Sequence, residues 1–210
     1  MVYIPKLAHP WYDEVRGGIE YGIQEVKKEG IEVEYLWDAP PQADVDEESR
    51  KIEYAISRQP DGLCVAALDP ARNVHLLDQA LEAKINVLTF NAYAGPKYPF
   101  VGRHDDVADG YDLAKYLAEK MGGAGKVAIL SGSPTAPEHV GRVEGFKKAL
   151  SEYRDIKIVF AEADNDNLGQ AVSLAESRRI RISTGFCAAT RATRSVQPGR
   201  SRTPAKPERS

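Results

Sequence analysis

The feature that most constrains the fold of this chain is a change of sequence pattern near Ser177. Before that residue, short apolar runs typical of β-strands alternate with amphipathic helical stretches, which is the order that a doubly wound α/β domain requires. From Arg178 onward the alternation stops: nine Lys or Arg stand beside one acid, Glu208, and one aromatic residue, Phe186. The chain therefore divides into an α/β body and a basic tail, and a function has to be inferred from the body.

The two parts carry opposite charge. Residues 1–177 hold 19 basic and 30 acidic residues, a net charge of −11, whereas the tail carries +8. An acidic body argues against nucleic acid as the main partner, because phosphate binding needs a basic surface. No run approaches the roughly 18 apolar residues that a membrane-spanning helix needs. The first apolar run, VYIP, is too short for a signal peptide. We therefore expect a cytosolic protein or one whose leader is missing from this sequence.

The alternation predicts a regular series of strands and helices. Strands are expected over 2–5, 31–36, 62–67, 86–90, 100–102, 126–130 and 156–161, and helices over 11–29, 46–58, 105–121, 138–151 and 167–177, with another starting at Asp69-Pro70. Strands that are separated by single helices run parallel, and ligands bind beyond the carboxyl ends of such strands. The residues that directly follow the strands are therefore the candidates for a binding site.

Three candidates follow the first strand: Lys6, Trp11 and Tyr12. Two adjacent aromatic rings at the start of a helix can stack on the apolar face of a sugar while a lysine donates hydrogen bonds to its hydroxyls. The alternative is that Trp11 and Tyr12 only attach the helix to the sheet, and the sequence leaves both interpretations open.

The later strands add four more candidates. Asn91 follows the fourth strand, where an amide can both donate to and accept from neighbouring hydroxyls. Glu138, His139 and Arg142 fall on the first turns of the helix after SGSPTAP. The guanidinium of Arg142 suits vicinal hydroxyls or a carboxylate. A surface salt bridge between Arg142 and Glu138, four residues apart, is the alternative.

Enzyme signatures are weak throughout the sequence. GGAGK (122–126) precedes a strand instead of following one, SGSP is not the G-x-S-x-G elbow, and IPKLAHPW lacks the G-x-G-x-x-G of a dinucleotide site. The four histidines have no metal-ligand spacing, and Cys64 and Cys187 fit neither a metal site nor a disulfide framework. We expect a protein that is not an enzyme, with no catalytic residue, cofactor or metal.

Several motifs taken together resemble the periplasmic sugar-binding proteins of ABC importers. The motifs are IPKL (4–7) with the aromatic pair after it, VLTFN (87–91), FVGRHD (100–105) and KVAILSGSPT…RVEGF (126–146), in order over about residues 2–177. IPKL and SGSPT most resemble the branch that binds rhamnose-like sugars and the autoinducer-2 signal. The resemblance implies the type I periplasmic binding fold, in which two α/β lobes clamp one sugar and perform no chemistry.

The resemblance also implies how the chain is divided. The first lobe would span 1–103 and supply Lys6, Trp11, Tyr12 and Asn91, while a partial second lobe over 104–177 would supply Glu138, His139 and Arg142. The partners would be a small sugar and a membrane permease, in the periplasm or at the cell surface. The alternative is the effector-sensing domain of a LacI-type transcription regulator, which shares the fold but is preceded by a helix-turn-helix that this sequence lacks.

Two departures leave the particular sugar open. Asn91 stands where the family usually has Asp, and Ala66 stands where ribose binders have Asn. The family's second lobe also continues beyond the point that corresponds to Ser177. Our hypothesis is that a frameshift near Ser177 produced the tail over 178–210, which we expect to be disordered because it has little apolar surface to bury. With the second lobe incomplete, we expect weak sugar binding or none.

Overall fold

A computed structural model describes residues 1–102 and 105–177, together with the backbone of residues 186–188. The expected disorder of the tail and the proposed frameshift concern residues that otherwise lie outside this described part. The boundary proposed between residues 103 and 104 also lies outside it, and it stays a prediction.

The first sheet has five parallel strands in the spatial order β2-β1-β3-β4-β5. They are β1 (Val2–Ile4), β2 (Leu36–Trp37), β3 (Gly62–Val65), β4 (Asn86–Phe90) and β5 (Phe100–Val101). The chain moves outward from β1 in one direction to β2 and in the other direction to β3, so β1 and β3 flank the position where the strand order reverses. Open α/β sheets bind ligands at such a position, beyond the carboxyl ends of the strands.

Helices cover both faces of this sheet. They are α1 (Pro10–Lys28), α2 (Val45–Ser57) and α3 (Pro70–Glu82). One buried cluster joins α2 and α3 to the sheet through residues that include Ile52, Leu77 and Val65. A second cluster on the opposite face joins Tyr12 of α1 to Cys64 and Phe90. Each helix starts at a residue whose side chain accepts a hydrogen bond from the first turn: His9, Asp44 and Asp69.

The second sheet has the order β7-β6-β8 and is also parallel. Its strands are β6 (Ala124–Ser131), β7 (Asp155–Ala163) and β8 (Phe186–Ala188), and its helices are α4 (Asp106–Lys120), α5 (Pro137–Leu150) and α6 (Leu168–Ser177). One buried cluster packs α4 and α5 against the sheet, with Phe146 and Ile129 at its centre. Two α/β lobes with parallel sheets are therefore present, as the sequence predicts.

Helices α4 and α5 approach each other unusually closely because glycines lie between them. A Cβ atom on Gly145 would overlap the carbonyl oxygen of Val107, and one on Gly110 would overlap the carbonyl oxygen of Arg142. Only a residue without a side chain allows two backbones to come this close. The contact fixes Arg142 of α5 beside Asp106 of α4.

Two strands differ from the prediction. The expected strand over 31–36 is reduced to Leu36–Trp37, because β1 is only three residues long and pairs Val2 with Leu36 and Tyr3 with Trp37. Beyond Ser177 no strand is expected from the sequence, yet Phe186–Ala188 pairs with Ala128–Leu130 of β6. The apolar tripeptide pairs with the side of β6 opposite β7, which would otherwise be an open edge.

Within the described residues, no helix is both long enough and apolar enough to cross a membrane.

Candidate functional site

A cleft between the two lobes contains all seven residues that the sequence analysis selects. Its walls are formed by the end of β1, the start of α1, the residue after β4, the first turns of α5 and the loop between β7 and α6. The lining residues are Lys6, Leu7, His9, Trp11, Tyr12, Asn91, Glu138, His139, Arg142, Asp164, Asp166, Asn167, Leu168 and Ala171. Residues from four separate strand ends meet here, as the topology of parallel sheets predicts.

Lys6 and Glu138 join the two lobes at the floor of the cleft. The ammonium of Lys6 donates to Glu138 Oε1, and both side chains are almost completely buried. Burial lowers the pKa of Lys6 to about 7, while the nearby carboxylates of Asp166 and Glu48 oppose that shift. A buried ion pair of this kind offsets the cost of removing each charge from water only while both partners are present.

Asn91 connects this pair to the aromatic wall of the cleft, which is formed by Trp11 and Tyr12. Its amide nitrogen lies 3.2 Å from the hydroxyl of Tyr12 and 3.4 Å from Glu138 Oε1, so that it donates to both lobes. The residue has a positive φ of 62°, a conformation that Asn tolerates better than most residues. This turn directs the amide into the cleft immediately after β4.

Trp11 and Tyr12 differ in burial and in packing against the sheet. Tyr12 is buried, packs edge-on against Phe90 at 6.3 Å between ring centroids, and attaches α1 to the sheet. Burial also raises the pKa of the Tyr12 hydroxyl. Trp11 is half-buried, lines the cleft and meets Tyr12 edge-on at 4.8 Å. Tyr12 makes the packing contacts of the second interpretation and also lines the cleft beside Trp11, so both residues stay predicted ligand contacts.

The expected alternative for Arg142, a salt bridge to the carboxylate of Glu138, is replaced by two other contacts. Arg142 Nε donates to the backbone carbonyl of Glu138 at 2.8 Å and lies 3.5 Å from Asp106 Oδ1. The carboxylate of Glu138 turns instead toward Lys6 of the other lobe. Burial raises the pKa of Asp106, and the charge of Arg142 opposes that shift.

Two buried polar atoms of the cleft have no hydrogen-bond partner among the described residues: Glu138 Oε2 and His139 Nδ1. A buried polar group without a partner costs about 1–3 kcal/mol, and such groups in a folded protein call for an explanation. Both residues lie on the first turn of α5, and Ala136, the residue before this helix, provides no side-chain cap. Each atom could accept a hydrogen bond from a donor that the described residues do not supply.

The loop after β7 adds acidic residues that the sequence analysis missed. Asp164 is buried, and burial together with the neighbouring charge of Asp166 raises its pKa to about 6. For Asp166, burial alone would raise the pKa, but the hydrogen bond and charge of His139 and the backbone N–H of Ser133 hold it below its ordinary value. The signal was present in the sequence, because ADNDN (163–167) begins two residues after the end of the strand predicted over 156–161.

Comparisons with known proteins agree with this architecture. The sequence profile of the periplasmic binding protein domain family matches residues 1–178. The chain is 27% identical over 150 residues to the xylitol-binding protein of Mycolicibacterium smegmatis, an alignment that covers 67% of this chain and 40% of that protein. It is 25% identical over 211 aligned positions to the ribose import binding protein RbsB of Bacillus subtilis, covering 87% of this chain and 67% of RbsB.

A solved structure is similar over most of the chain. It is an ABC transporter solute-binding protein from Burkholderia graminis in complex with D-arabinose, with a TM-score of 0.79 and 26% identity. The alignment covers 90% of this chain and 65% of that one. The chain thus spans between two fifths and two thirds of the length of these relatives. The two-lobed fold that the sequence motifs predicted is confirmed.

Proposed function

This chain belongs to the periplasmic binding protein domain family, and from that premise we propose that it binds a sugar or sugar-like polyol between its two lobes as the solute-binding component of an ABC importer. The family consists of binding proteins, which fits a role without catalysis. The partners would be a small sugar and a membrane permease, and the site of action would be the periplasm or the cell surface.

The observation that carries this proposal is the buried carboxylate of Glu138. Its Oε1 is held by Lys6 of the opposite lobe, while its Oε2 is buried and has no partner among the described residues. A sugar hydroxyl is a neutral donor of the size that such an atom needs. A ligand held there would contact both lobes together and so favour their closed arrangement, which is the thermodynamic basis of hinge closure.

The other cleft residues suit the same class of ligand. The exposed part of Trp11 offers an apolar surface for the face of a sugar ring, and Asn91, His139 and Arg142 offer hydrogen-bonding groups around it. The role of all seven predicted residues as ligand contacts is part of this proposal.

Pentose-sized polyols are among the ligands named for the relatives. One is named for xylitol and one for ribose import, and the solved structure contains D-arabinose. Their names describe binding and import, which favours a transport role for this chain over the transcription-regulator alternative.

Binding can be tested by titrating the chain with D-ribose, D-arabinose, xylitol and L-rhamnose while following tryptophan fluorescence. The Trp37→Phe variant isolates the signal of Trp11, since the chain has two tryptophans. An incomplete second lobe led us to expect weak binding or none, but all seven predicted residues line the cleft of this chain. We therefore expect at least one sugar to change the emission of Trp11. No change with any of them, together with no heat of binding in calorimetry, would contradict the proposal.

A matched pair of variants tests the carboxylate. Glu138→Gln keeps the shape of the side chain but removes its charge, and we expect it to weaken binding at least tenfold. Glu144→Gln lies on the exposed surface of the same helix and serves as the control, with binding within twofold of the unmodified chain. Equal affinities for the two variants would contradict a role for Glu138 in the site.

A further inference from the structure

Asp166 lines the cleft beside His139 and contacts its imidazole ring. Asp166 Oδ1 lies 3.2 Å from His139 Nε2, and its Oδ2 accepts the backbone N–H of Ser133 at 3.1 Å. Both side chains are largely buried, with 13% of the Asp166 and 10% of the His139 side chain exposed. Both oxygens of the carboxylate are therefore engaged in fixed directions, one of them toward the imidazole ring.

The backbone around Asp166 is built to keep it in this position. Asn165 and Asp166 have positive φ values of 54° and 58°, in the left-handed region that non-glycine residues rarely adopt. Asp164 supports this turn, because its Oδ1 accepts the N–H of Asp166 at 2.9 Å. Two successive residues in this conformation cost free energy and persist only where the surroundings impose them.

A glycine on the neighbouring strand end leaves room for the contact. A Cβ atom on Gly132 would overlap Asp166 Oδ1 and would lie 2.6 Å from His139 Nε2. Any other residue at Gly132 would separate the carboxylate from the ring. The contact between Asp166 and His139 thus depends on the loop that follows β6, on the turn at 164–166 and on the start of α5.

This contact decides which hydrogen-bonding character the imidazole offers elsewhere. In a neutral imidazole one nitrogen donates and the other accepts, and the partner of one nitrogen sets the role of the other. If Nε2–H donates to Asp166, then Nδ1 is an acceptor, and Nδ1 is buried without a partner among the described residues. Glu138 Oε2, on the adjacent residue, is an acceptor in the same condition.

We propose that Asp166 is a positioning residue that fixes His139 as the Nε2–H tautomer, so that the cleft presents two buried acceptors, His139 Nδ1 and Glu138 Oε2, and selects ligands that bring a hydroxyl donor to each. The role as a specificity determinant rests on the proposed function. The role in fixing the tautomer does not, because it concerns only contacts within the chain.

The tautomer can be measured directly in the chain without ligand. Two-bond ¹H–¹⁵N correlation spectra of ¹⁵N-histidine-labelled protein distinguish a protonated ring nitrogen from an unprotonated one. The His139→Gln variant assigns the signals among the four histidines. Spectra are recorded at several pH values, and the tautomer is read where the ring is neutral. We expect an unprotonated Nδ1 and a protonated Nε2, and the opposite assignment would overturn the proposal.

Two glycine substitutions in the same turn distinguish the effect of losing the carboxylate from the effect of changing the backbone. Asp166→Gly removes the carboxylate, whereas Asn165→Gly removes a more exposed amide, and glycine adopts a positive φ freely in both. We expect Asp166→Gly to lose the preference for the Nε2–H form and Asn165→Gly to keep it. The same tautomer in both variants would overturn the proposal. If Asp166→Gly does not fold, the spectrum of the unmodified chain still decides the question.

Calorimetry with D-arabinose, xylitol and the D-arabinonate anion measures the consequence for selectivity. The carboxylate of D-arabinonate places acceptor atoms at one end of the molecule, where the neutral ligands have hydroxyl donors. We expect the unmodified chain to prefer the better neutral ligand to the anion by at least tenfold. Asp166→Gly should reduce that preference several-fold, and Asn165→Gly should leave it within twofold. An unchanged preference in Asp166→Gly would overturn the selectivity role. If no probe binds, the proposed function fails, while the tautomer result still stands or falls by itself.

Discussion

The two lobes are built from similar elements but are stabilised differently. The first sheet is buried on both faces, by α2 and α3 on one side and α1 on the other. In the described part of the second lobe, a single buried cluster packs α4 and α5 against one face of the sheet. The first lobe thus has apolar packing on both faces of its sheet, whereas the described part of the second lobe has one apolar cluster and a close contact between α4 and α5.

The lobes also differ in what they bring to the cleft. The first contributes the cation Lys6, the amide Asn91 and the aromatic wall, while the second contributes the carboxylates of Glu138, Asp164 and Asp166. Contact between the lobes at the floor of the cleft is therefore electrostatic.

The largest effect is expected at the ion pair that joins the lobes. Lys6→Met leaves the buried carboxylate of Glu138 without its cation, and breaking such a pair costs about 3–5 kcal/mol. The free energy of unfolding in urea is the measurement. The double variant Lys6→Met/Glu138→Met should recover most of the loss, because it leaves no charge unpaired.

The control for this prediction is an exposed ion pair within the first lobe. Arg16→Met breaks the contact of Arg16 with Glu20 on α1, where about half of each side chain is exposed, and we expect no measurable change. A stability of Lys6→Met equal to that of Arg16→Met would mean that the lobes are not joined through this pair.

Two helical glycines sharpen the contrast in packing. Gly145→Ala forces α4 and α5 apart, because the new methyl group meets backbone atoms, and we expect a loss of about 2–3 kcal/mol. Gly22→Ala on α1 has nothing within 4 Å of the new Cβ and should gain about 0.5–1 kcal/mol from the higher helix propensity of alanine. Thermal unfolding of both variants is the measurement. If both variants change the stability in the same direction, the difference in helix packing between the lobes is contradicted.

The third prediction concerns the pH dependence of stability. Burial raises the pKa of Glu48, a core carboxyl of the first lobe, to about 8, although the N–H of Leu68 and the amide of Asn73 oppose that shift. The folded state therefore holds a proton that the unfolded state releases above about pH 4.5, and stability falls as the pH rises from about 4.5 to 8. We expect the free energy of unfolding to decrease by more than about 1 kcal/mol over this range in the unmodified chain. Glu48→Gln should reduce that decrease.

In the second lobe the sign is reversed. The lowered pKa of Asp166 contributes stability that is present above the ordinary pKa of an aspartate and is lost as the pH falls through the lowered value. Urea unfolding at a series of pH values separates the two groups. If Glu48→Gln leaves the decline between pH 4.5 and 8 unchanged, Glu48 is not its source.

Local sequence was a sufficient guide to much of the site. Lys6, Asn91 and Glu138 each follow a strand, and parallel strands bring such residues to one edge of a sheet, so their meeting could be predicted. The same rule applied to the last predicted strand would have included Asp164 and Asp166. The short β2 could not be predicted, because its length is set by a partner strand that is only three residues long.

What the sequence determined by itself is the alternation of strands and helices, the parallel sheets that follow from it, and the set of polar residues at the strand ends. These depend on interactions between near neighbours in the chain. The partner that each of those residues takes depends on the tertiary structure. Glu138 pairs with Lys6, which is 132 residues away, instead of with Arg142, and His139 is held by Asp166. Such choices depend on burial and on distances across the cleft, which are fixed only when the two lobes meet.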